Sequence, residues 1–446
     1  VHIKNNYIHT TTCNVSKSNE AYQTPIFEHS KTCLISLIHA LSSGSFGIDT
    51  VNKGCHEIQK YKQKYLNEVY PFILDSGGYS IIAGDVKYVD ISKFIDGYLQ
   101  GLELLKDDID YVFSLDIPIF INDNDKNTIN TIGMLNEYSL ESSIKLLEKF
   151  PELIPKFSMV LQWKMPGQYY IWDTLYDNLG LKNYIKNYAV GGLVGLLGIC
   201  PHIDFAPFIG PCYYWLYRYM EAGNYTRPLF IHILGQYHKS ARFILFFLQE
   251  LFTDYLKVVN QTCVITFDTV NYSLSSMYKA RVGIDIYQNP ENDTLRVIHS
   301  HELTEEILFK IYTTPESLEL FYNNWNNSKG DDLLTDTSFL IPAYIYSQVE
   351  LDKYFHYIIK SKELIRRFRR RDNLNENNKF KTVEVIRQLS PYLNFLTSNF
   401  KKSIQSSLSI IYSFHNNAIN GFNKKVLDEQ MKDFIVNYVK FPFDLN

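Results

Sequence analysis

The sequence predicts an α/β fold, a (β/α)8 barrel followed by a helical, basic C-terminal module. Three observations point to it. Short apolar runs recur along the first 270 residues, each ending in a small or polar cluster. The runs are continuously apolar rather than alternating, as strands of a parallel sheet buried on both faces are. Near residue 330 the character changes, and the chain becomes helical and basic.

Taken in order, Cys33-Leu-Ile-Ser-Leu-Ile38 is the candidate first strand. Phe72-Ile-Leu-Asp75 runs into Ser76-Gly-Gly78, and Tyr111-Val-Phe-Ser-Leu-Asp116 runs into Ile117-Pro118. Phe157-Ser-Met-Val-Leu-Gln162 comes next, then Tyr188-Ala-Val190 before Gly191-Gly192. Leu229-Phe-Ile-His-Ile-Leu234 precedes Gly235, and Cys263-Val-Ile-Thr-Phe-Asp268 follows. The ends Asp75, Asp116, Gln162, Gly192, Gly235 and Asp268 are spaced by 41, 46, 30, 43 and 33 residues. Each interval holds one helix and two loops, the size of a βαβ unit. Ile91 to Leu105 and Glu137 to Lys149 read as two of the intervening helices. An eighth strand is expected near Val282 to Tyr287 or Leu295 to Ile298. A doubly wound open sheet is the alternative, but no Gly-x-Gly-x-x-Gly opens a helix after the first strand. In a barrel, the polar run ends would collect at the C-terminal face, where barrel enzymes carry their chemistry.

Beyond residue 300, Glu302 to Leu320 reads as an acidic helix and Asn323 to Thr337 as a polar loop. Ala343 to Arg371, Val383 to Leu396 and Val426 to Val439 read as helices. The expected division is a barrel over 1–330 and a helical nucleic-acid-binding module over 331–446. Net charge is −4 for 446 residues, so the chain as a whole is no polycation. It is unevenly spread: residues 1–350 carry 27 Lys+Arg against 39 Asp+Glu, and residues 351–446 carry 17 against 9. Six cysteines without a CxxC point to a reducing, cytoplasmic compartment. Val1-His-Ile-Lys-Asn-Asn6 lacks a signal-peptide pattern. The longest apolar stretches, Ala189 to Cys200 and Phe243 to Leu248, fall short of a membrane helix, so no membrane partner is expected. Abundant Asn, Lys, Ile and Tyr fit an AT-rich genome, and aromatic content as such carries no functional weight.

Asp75 and Asp268 each end a buried strand, and a barrel can bring both over its mouth. Two carboxylates facing an anomeric carbon can split a glycosidic bond, one as nucleophile and one as proton carrier. A single strand-end Asp more often only caps the next helix. Taken together, the six run ends resemble the tRNA-guanine transglycosylase superfamily. Asp75-Ser-Gly-Gly-Tyr79 is similar to its Asp-Ser-Gly-Gly-aromatic signature, and Phe113-Ser-Leu-Asp116 to its second Asp motif. Gln162 falls where the family has its base-reading Gln. Val190-Gly-Gly-Leu193 resembles its Gly-Gly-Leu loop, Ile233-Leu-Gly235 its Leu-Met-Gly turn, and Thr266-Phe-Asp268 its nucleophile motif. The resemblance runs from about Phe72 to Asp268.

The resemblance implies a base exchange. Asp268 would attack C1′ of a guanosine and form a covalent glycosyl-enzyme, and a 7-substituted 7-deazaguanine would replace the released guanine. Asp75 would be the general acid/base. Asp116 would accept the ring N–H and exocyclic amine, a pair of donors suited to a carboxylate. Gln162 and the backbone near Gly192 and Leu193 would hold the 6-oxo group. Tyr79 and Leu234 would sandwich the base, with Ser76 and Gly235 beside it. No cofactor is implied.

Departures from the family narrow the substrate. The tRNA enzymes carry a structural zinc after the nucleophile, in a Cys-x-Cys-x-x-Cys…His pattern, whereas no cysteine follows Cys263 here. His299 and His301 lack thiol companions, and Cys200, His202 and Cys212 fit no zinc template, so no metal site is expected. Thr269-Val-Asn-Tyr272 stands in place of the usual Pro-Thr-Arg. Gly192-Leu-Val-Gly-Leu-Leu-Gly198 lacks the Glu that meets an aminomethyl group, which favours a neutral substituent such as the nitrile of 7-cyano-7-deazaguanine (preQ0). The sequence is most similar to the zinc-less phage and bacterial relatives that modify DNA guanine, a protection against restriction. Lys362, Arg366, Arg367, Arg369, Arg370 and Arg371 form a basic helical run suited to phosphates, or to a merely solvated face. The expected partners are DNA rather than RNA and a free 7-deazaguanine base, with a helper protein or a homodimer also compatible. The target base would have to be flipped out. The rival readings are the same chemistry on tRNA, a non-catalytic nucleic-acid-binding subunit, and a barrel glycosidase. The last would want a Trp-lined groove, whereas the chain has four Trp and none beside Asp75 or Asp268.

Overall fold

The computed structural model describes residues 6–11, 29–41, 46–65, 67, 69–78, 81, 86, 90–117, 126–162, 166–193, 207–235, 239–269, 285–288, 295–299, 302–327, 338–369, 385, 387–396 and 398–438. Eight parallel strands close a barrel in chain order. They are β1 (Tyr7–Thr11), β2 (Cys33–Ser36), β3 (Phe72–Asp75), β4 (Tyr111–Phe113), β5 (Phe157–Gln162), β6 (Asn187–Gly191), β7 (Leu229–Ile233) and β8 (Cys263–Thr269). Helices α1 (Ile48–Tyr65), α2 (Ile91–Leu105), α3 (Lys126–Lys149), α4 (Pro166–Asn178), α5 (Ile209–Ala222) and α6 (Lys239–Leu256) follow β2 to β7 in turn. The fold class expected from the sequence is the one observed.

Two strand assignments need correction. The first barrel strand is Tyr7–Thr11, not Cys33–Ile38, so Cys263–Thr269 is the eighth. Tyr7-Ile-His-Thr-Thr11 has only two apolar residues at its start and gives no hydrophobic run. Its place is set by pairing on both edges, His9 with Cys33 on one side and Ile8 with Asp268 on the other. The segments expected to hold the eighth strand form β9 (Asp285–Gln288) and β10 (Arg296–His299), an antiparallel pair outside the barrel. Only residues 289–295 join them, too short a link for a parallel crossover.

Period-two alternation divides each strand between two cores. Inward-facing Ile8, Leu34, Ile73, Phe113, Val160 and Ala189 fill the barrel. Their chain neighbours, such as Leu74, Leu161, Val190, Ile231 and Phe267, pack against the helices. Tyr111 stacks on Phe230 at 4.1 Å lower in the barrel.

After the hairpin come α7 (Glu305–Ile311), α8 (Pro315–Asn327), α9 (Ile341–Ser361), α10 (Leu364–Arg369), α11 (Ser398–Ile419) and α12 (Lys424–Tyr438). The acidic helix expected over Glu302 to Leu320 is split at Pro315, whose ring cannot sit inside a helix. The long helix expected to Arg371 breaks at Glu363, which adopts φ +49°. Helix α11 had no counterpart in the sequence reading, although Ile404, Leu408, Ile411, Phe414 and Ala418 line its buried face. The expected boundary near residue 330 lies outside the described residues. Helices α9, α11 and α12 pack on α4, α5 and α6 and share the outer core. No described helix is long and apolar enough to cross a membrane.

One buried ion pair fastens this layer to the barrel. Arg242 on α6 bonds Asp352 on α9, and also the Gln348 carbonyl at 2.8 Å. Its guanidinium lies over the rings of Tyr7 on β1 and Phe267 on β8. Asp352→Ala, which strands the cation in the core, is expected to cost about 3–5 kcal/mol of stability in denaturant titration. The paired replacement Arg242→Met with Asp352→Leu is expected to recover most of that loss.

Candidate active site

The same alternation that fills the barrel with apolar side chains sends polar ones inward one level higher. Ser36 lies two residues beyond Leu34, Asp75 beyond Ile73, and Gln162 beyond Val160. The strand registers align them: Ser36 opposes Asp75, Gln162 opposes Gly191, and His232 opposes Thr266. The C-terminal mouth is therefore a polar ring resting on an apolar plug.

Asp75 accepts a hydrogen bond from the Ser36 hydroxyl at 2.6 Å and from the Gly77 N–H at 3.1 Å, both on Oδ2. Gly77 has φ +79°, a conformation that only glycine takes without strain. Gly78 backs onto the Asp116 carbonyl: a Cβ there would lie 2.7 Å from it. Ser76 is buried, and its hydroxyl accepts from the Gly78 N–H at 3.3 Å.

Asp116 lies three residues past β4 in an extended segment clamped by α3. Asn136 takes both backbone groups of Ile117, at 2.7 and 3.0 Å, and the Ser139 hydroxyl donates to the Leu115 carbonyl at 2.8 Å. The Gln162 amide donates to Asp116 Oδ2, while Gln162 Oε1 is buried with no hydrogen-bond partner. A side chain on Gly191 would collide with that amide, its Cβ lying 2.5 Å from Gln162 Nε2. Burial pushes the Asp116 carboxyl up to about 7, with the charge of Asp75 adding to the rise and the Gln162 bond opposing it. Below the pair, burial and then the charges of Asp75 and Asp116 keep the Tyr98 phenol protonated, and it donates to the Phe113 carbonyl at 2.6 Å.

Asp268 is 6% exposed. Its Oδ1 accepts the Gly235 N–H at 3.0 Å and meets His232 Nε2 at 3.0 Å. Gly235 turns this N–H inward from φ +70°. Leu193 is buried and Gly192 adopts φ +75°, both just past β6, and Leu234 packs on the apolar plug.

The expected residues Ser76, Asp75, Asp116, Gln162, Gly192, Leu193, Leu234, Gly235 and Asp268 thus gather at one end of the barrel. Tyr79, Arg370 and Arg371 lie outside the described residues. Lys362, Arg366, Arg367 and Arg369 are elsewhere. Arg369 bonds Asp254 in the last turn of α6, and Thr253 beside it bonds Cys263, the first residue of β8. The basic run therefore lies at the N-terminal end of the barrel. Five residues of β8 separate that level from Asp268, about 16 Å at strand rise. Arg366 and Arg369 line a cleft of about 680 Å³ between α6, the end of α9 and α10. Charges there pair across the cleft or along a helix, Lys360 with Glu250 at 3.3 Å and Arg366 with Glu363 at 3.1 Å. Lys362 lies over the Tyr392 ring, and Arg367 bonds Gln388.

The sequence reading missed Ser36, Asn136, Ser139 and His232. A single His inside the apolar run Leu229 to Leu234 was the one visible signal, because a strand buried on both faces carries a polar side chain only where something inside answers it.

No protein-family model matches the chain, and no curated protein sequence matches it. Fold and site together define a (β/α)8 barrel with three carboxylates, a glutamine and a buried histidine at its mouth. Among the described residues no group of three or more His, Cys, Asp and Glu could hold a metal ion.

The raised Asp116 value has a sign that stability can report. The folded state favours the neutral carboxyl, so stability present below the usual value of 3.8 is lost as pH rises through about 7. Asp116→Asn removes the ionisation. Its melting temperature is expected to exceed that of the unaltered protein by a few degrees at pH 8 and to match it at pH 4, by calorimetry.

Proposed function

We propose that this chain is a DNA-guanine transglycosylase, exchanging a guanine base for a 7-deazaguanine through a covalent Asp268 intermediate. The observation that carries this reading is the convergence on one rim of Asp268, Asp75 and the Asp116–Gln162 pair, from four separate matches of the family resemblance. Asp268, anchored by the Gly235 N–H, suits attack on C1′. The carboxylate oxygen bonds to C1′ as the bond from C1′ to N9 breaks, and guanine leaves with a proton from Asp75 on its ring nitrogen. The incoming 7-deazaguanine returns that proton to Asp75, attacks C1′ and displaces Asp268. Ionised Asp116 accepts the N1–H and the 2-amino group, and the Gln162 amide turns to the 6-oxo oxygen. Leucines beside Gly192 favour a neutral 7-substituent.

The zinc pattern of the tRNA enzymes needs cysteines after the nucleophile motif, and none follows Cys263 here. In this chain the β9–β10 hairpin docks on α9 through the Tyr287 N–H to the Ser347 hydroxyl at 2.9 Å, and Tyr287 packs against Phe395. That replacement favours a nucleic acid other than tRNA. Phosphate contacts by Lys362, Arg366, Arg367 and Arg369 would fall some 16 Å below the reacting base, so a substrate touching both spans about five base steps at 3.4 Å each.

Four experiments test this. Incubation with 7-cyano-7-deazaguanine and matched DNA and tRNA, scored by nucleoside mass spectrometry, is expected to give the modified deoxynucleoside only. Product in tRNA alone would reassign the substrate, and product in neither would leave a binding role. Asp268→Ala is expected to abolish the covalent adduct with DNA while leaving the melting curve intact. Affinity for the free base is expected to fall about tenfold per pH unit below 7, since binding requires ionised Asp116, and Asp116→Asn is expected to bind weakly without that dependence. Alanine at Arg366, Arg367 and Arg369 is expected to flatten the salt dependence of DNA binding, and an unchanged slope assigns the run to docking α10 on the barrel.

A further inference from the structure

Behind Asp268 lies a polar chain that the base-exchange reading does not use. His232 is fully buried on β7, in the layer between the apolar plug and the mouth. Its Nδ1 is 2.8 Å from the Thr266 hydroxyl and its Nε2 is 3.0 Å from Asp268 Oδ1. The two partners are alternate residues of β8, and the register sets His232 directly opposite Thr266. The Phe113 ring flanks the imidazole at 4.9 Å. An imidazole between a hydroxyl and a carboxylate on one strand has both nitrogens engaged, so it cannot rotate without losing two bonds.

We infer that His232 is a positioning residue for the Asp268 nucleophile, locked by Thr266 as the neutral tautomer with its proton on Nε2. A carboxylate is an acceptor, so Nε2 beside it carries hydrogen. A threonine hydroxyl can donate, and donation to Nδ1 leaves the ring uncharged. Asp268 Oδ1 then receives two neutral donors, His232 Nε2–H and Gly235 N–H, which fix the plane of the carboxylate. Its negative charge is not cancelled by a neighbouring imidazolium and is retained for bond formation to C1′. The third group thereby sets the tautomer and rotation of the second, and the second orients the nucleophile.

The kinetic part of this inference rests on the reading that Asp268 attacks C1′, and the tautomer part does not. The tautomer is read by ¹⁵N-histidine labelling of the whole chain, with His232 identified by its loss in His232→Gln. A protonated Nε2 and an unprotonated Nδ1, with Nε2 shifted in Asp268→Ala, are expected. A proton on Nδ1, in a neutral or a charged ring, overturns the assignment. In single-turnover adduct formation, His232→Leu is expected to slow the step about 100-fold or more, the scale for losing one preorganised donor. Its affinity for free 7-cyano-7-deazaguanine is expected to stay within threefold. His232→Gln, whose amide N–H can reach the same oxygen, is expected to retain about a tenth of the rate or more. Thr266→Val is expected to lose about tenfold, and Thr266→Ser to recover it. Adduct formation by His232→Leu at the unaltered rate, or a parallel loss of base affinity and rate, overturns the positioning role. If the unaltered chain forms no adduct with DNA or tRNA, the function reading fails, and the nitrogen shifts still decide whether His232 holds Asp268 in this form.

Discussion

Strand β1 hydrogen-bonds along both edges, to β2 through His9 and Cys33 and to β8 through Tyr7 and Phe267. Without it the sheet would be open, with β2 and β8 as its free edges. Closure turns eight local alternations into one shared set of layers. Asp75 and Gln162 need no individual arrangement, because each is the next inward position above an apolar one, and Asp268 is the next inward position above Thr266. The seam itself is secured from outside. The Asn6 amide bonds Gln249 on α6 at 2.7 Å, Gln249 takes the Ile265 N–H at 2.8 Å, and His356 on α9 meets Asn6 at 3.2 Å.

A ring of carboxylates at the end of a dry barrel opposes folding, and the site shows how that opposition is met. Asp75 and Asp268 each receive at least two donors, one of them a backbone N–H from a glycine turn. Asp116 takes the Gln162 amide and a backbone N–H, yet burial still drives its carboxyl up to about 7. The buried, unanswered Gln162 Oε1 beside it belongs to the same unfinished edge.

Much of this was legible in the chain because strands buried on both faces announce themselves as apolar runs, and their polar ends mark the barrel's rim. Phe72 to Asp75, Phe157 to Gln162 and Cys263 to Asp268 needed no tertiary knowledge. Tyr7–Thr11 was not legible, since its place depends on partners more than twenty residues away on one side and over two hundred on the other. The β9–β10 pair was misplaced because chain length, not hydrophobicity, decides between parallel and antiparallel pairing there. The basic run was read correctly as a feature of composition, but helical spacing cannot say which end of a barrel a helix will meet; Asp254 decides that. Helix α11 was overlooked because its polar face is rich in Ser and Asn, which lower helix propensity without preventing a packed stripe.

The Arg242–Asp352 pair has a consequence for the order in which the molecule assembles. Around that one cation meet Tyr7 from the first strand, Phe267 from the last, and a carboxylate eighty-five residues further along the chain. During synthesis the barrel can gather its strands through β8 while Arg242 still lacks its counter-ion. The seam carrying Asp268 is then completed only after α9 has emerged and docked. A product truncated before α9 would be a barrel with an unneutralised charge behind the strand that carries Asp268.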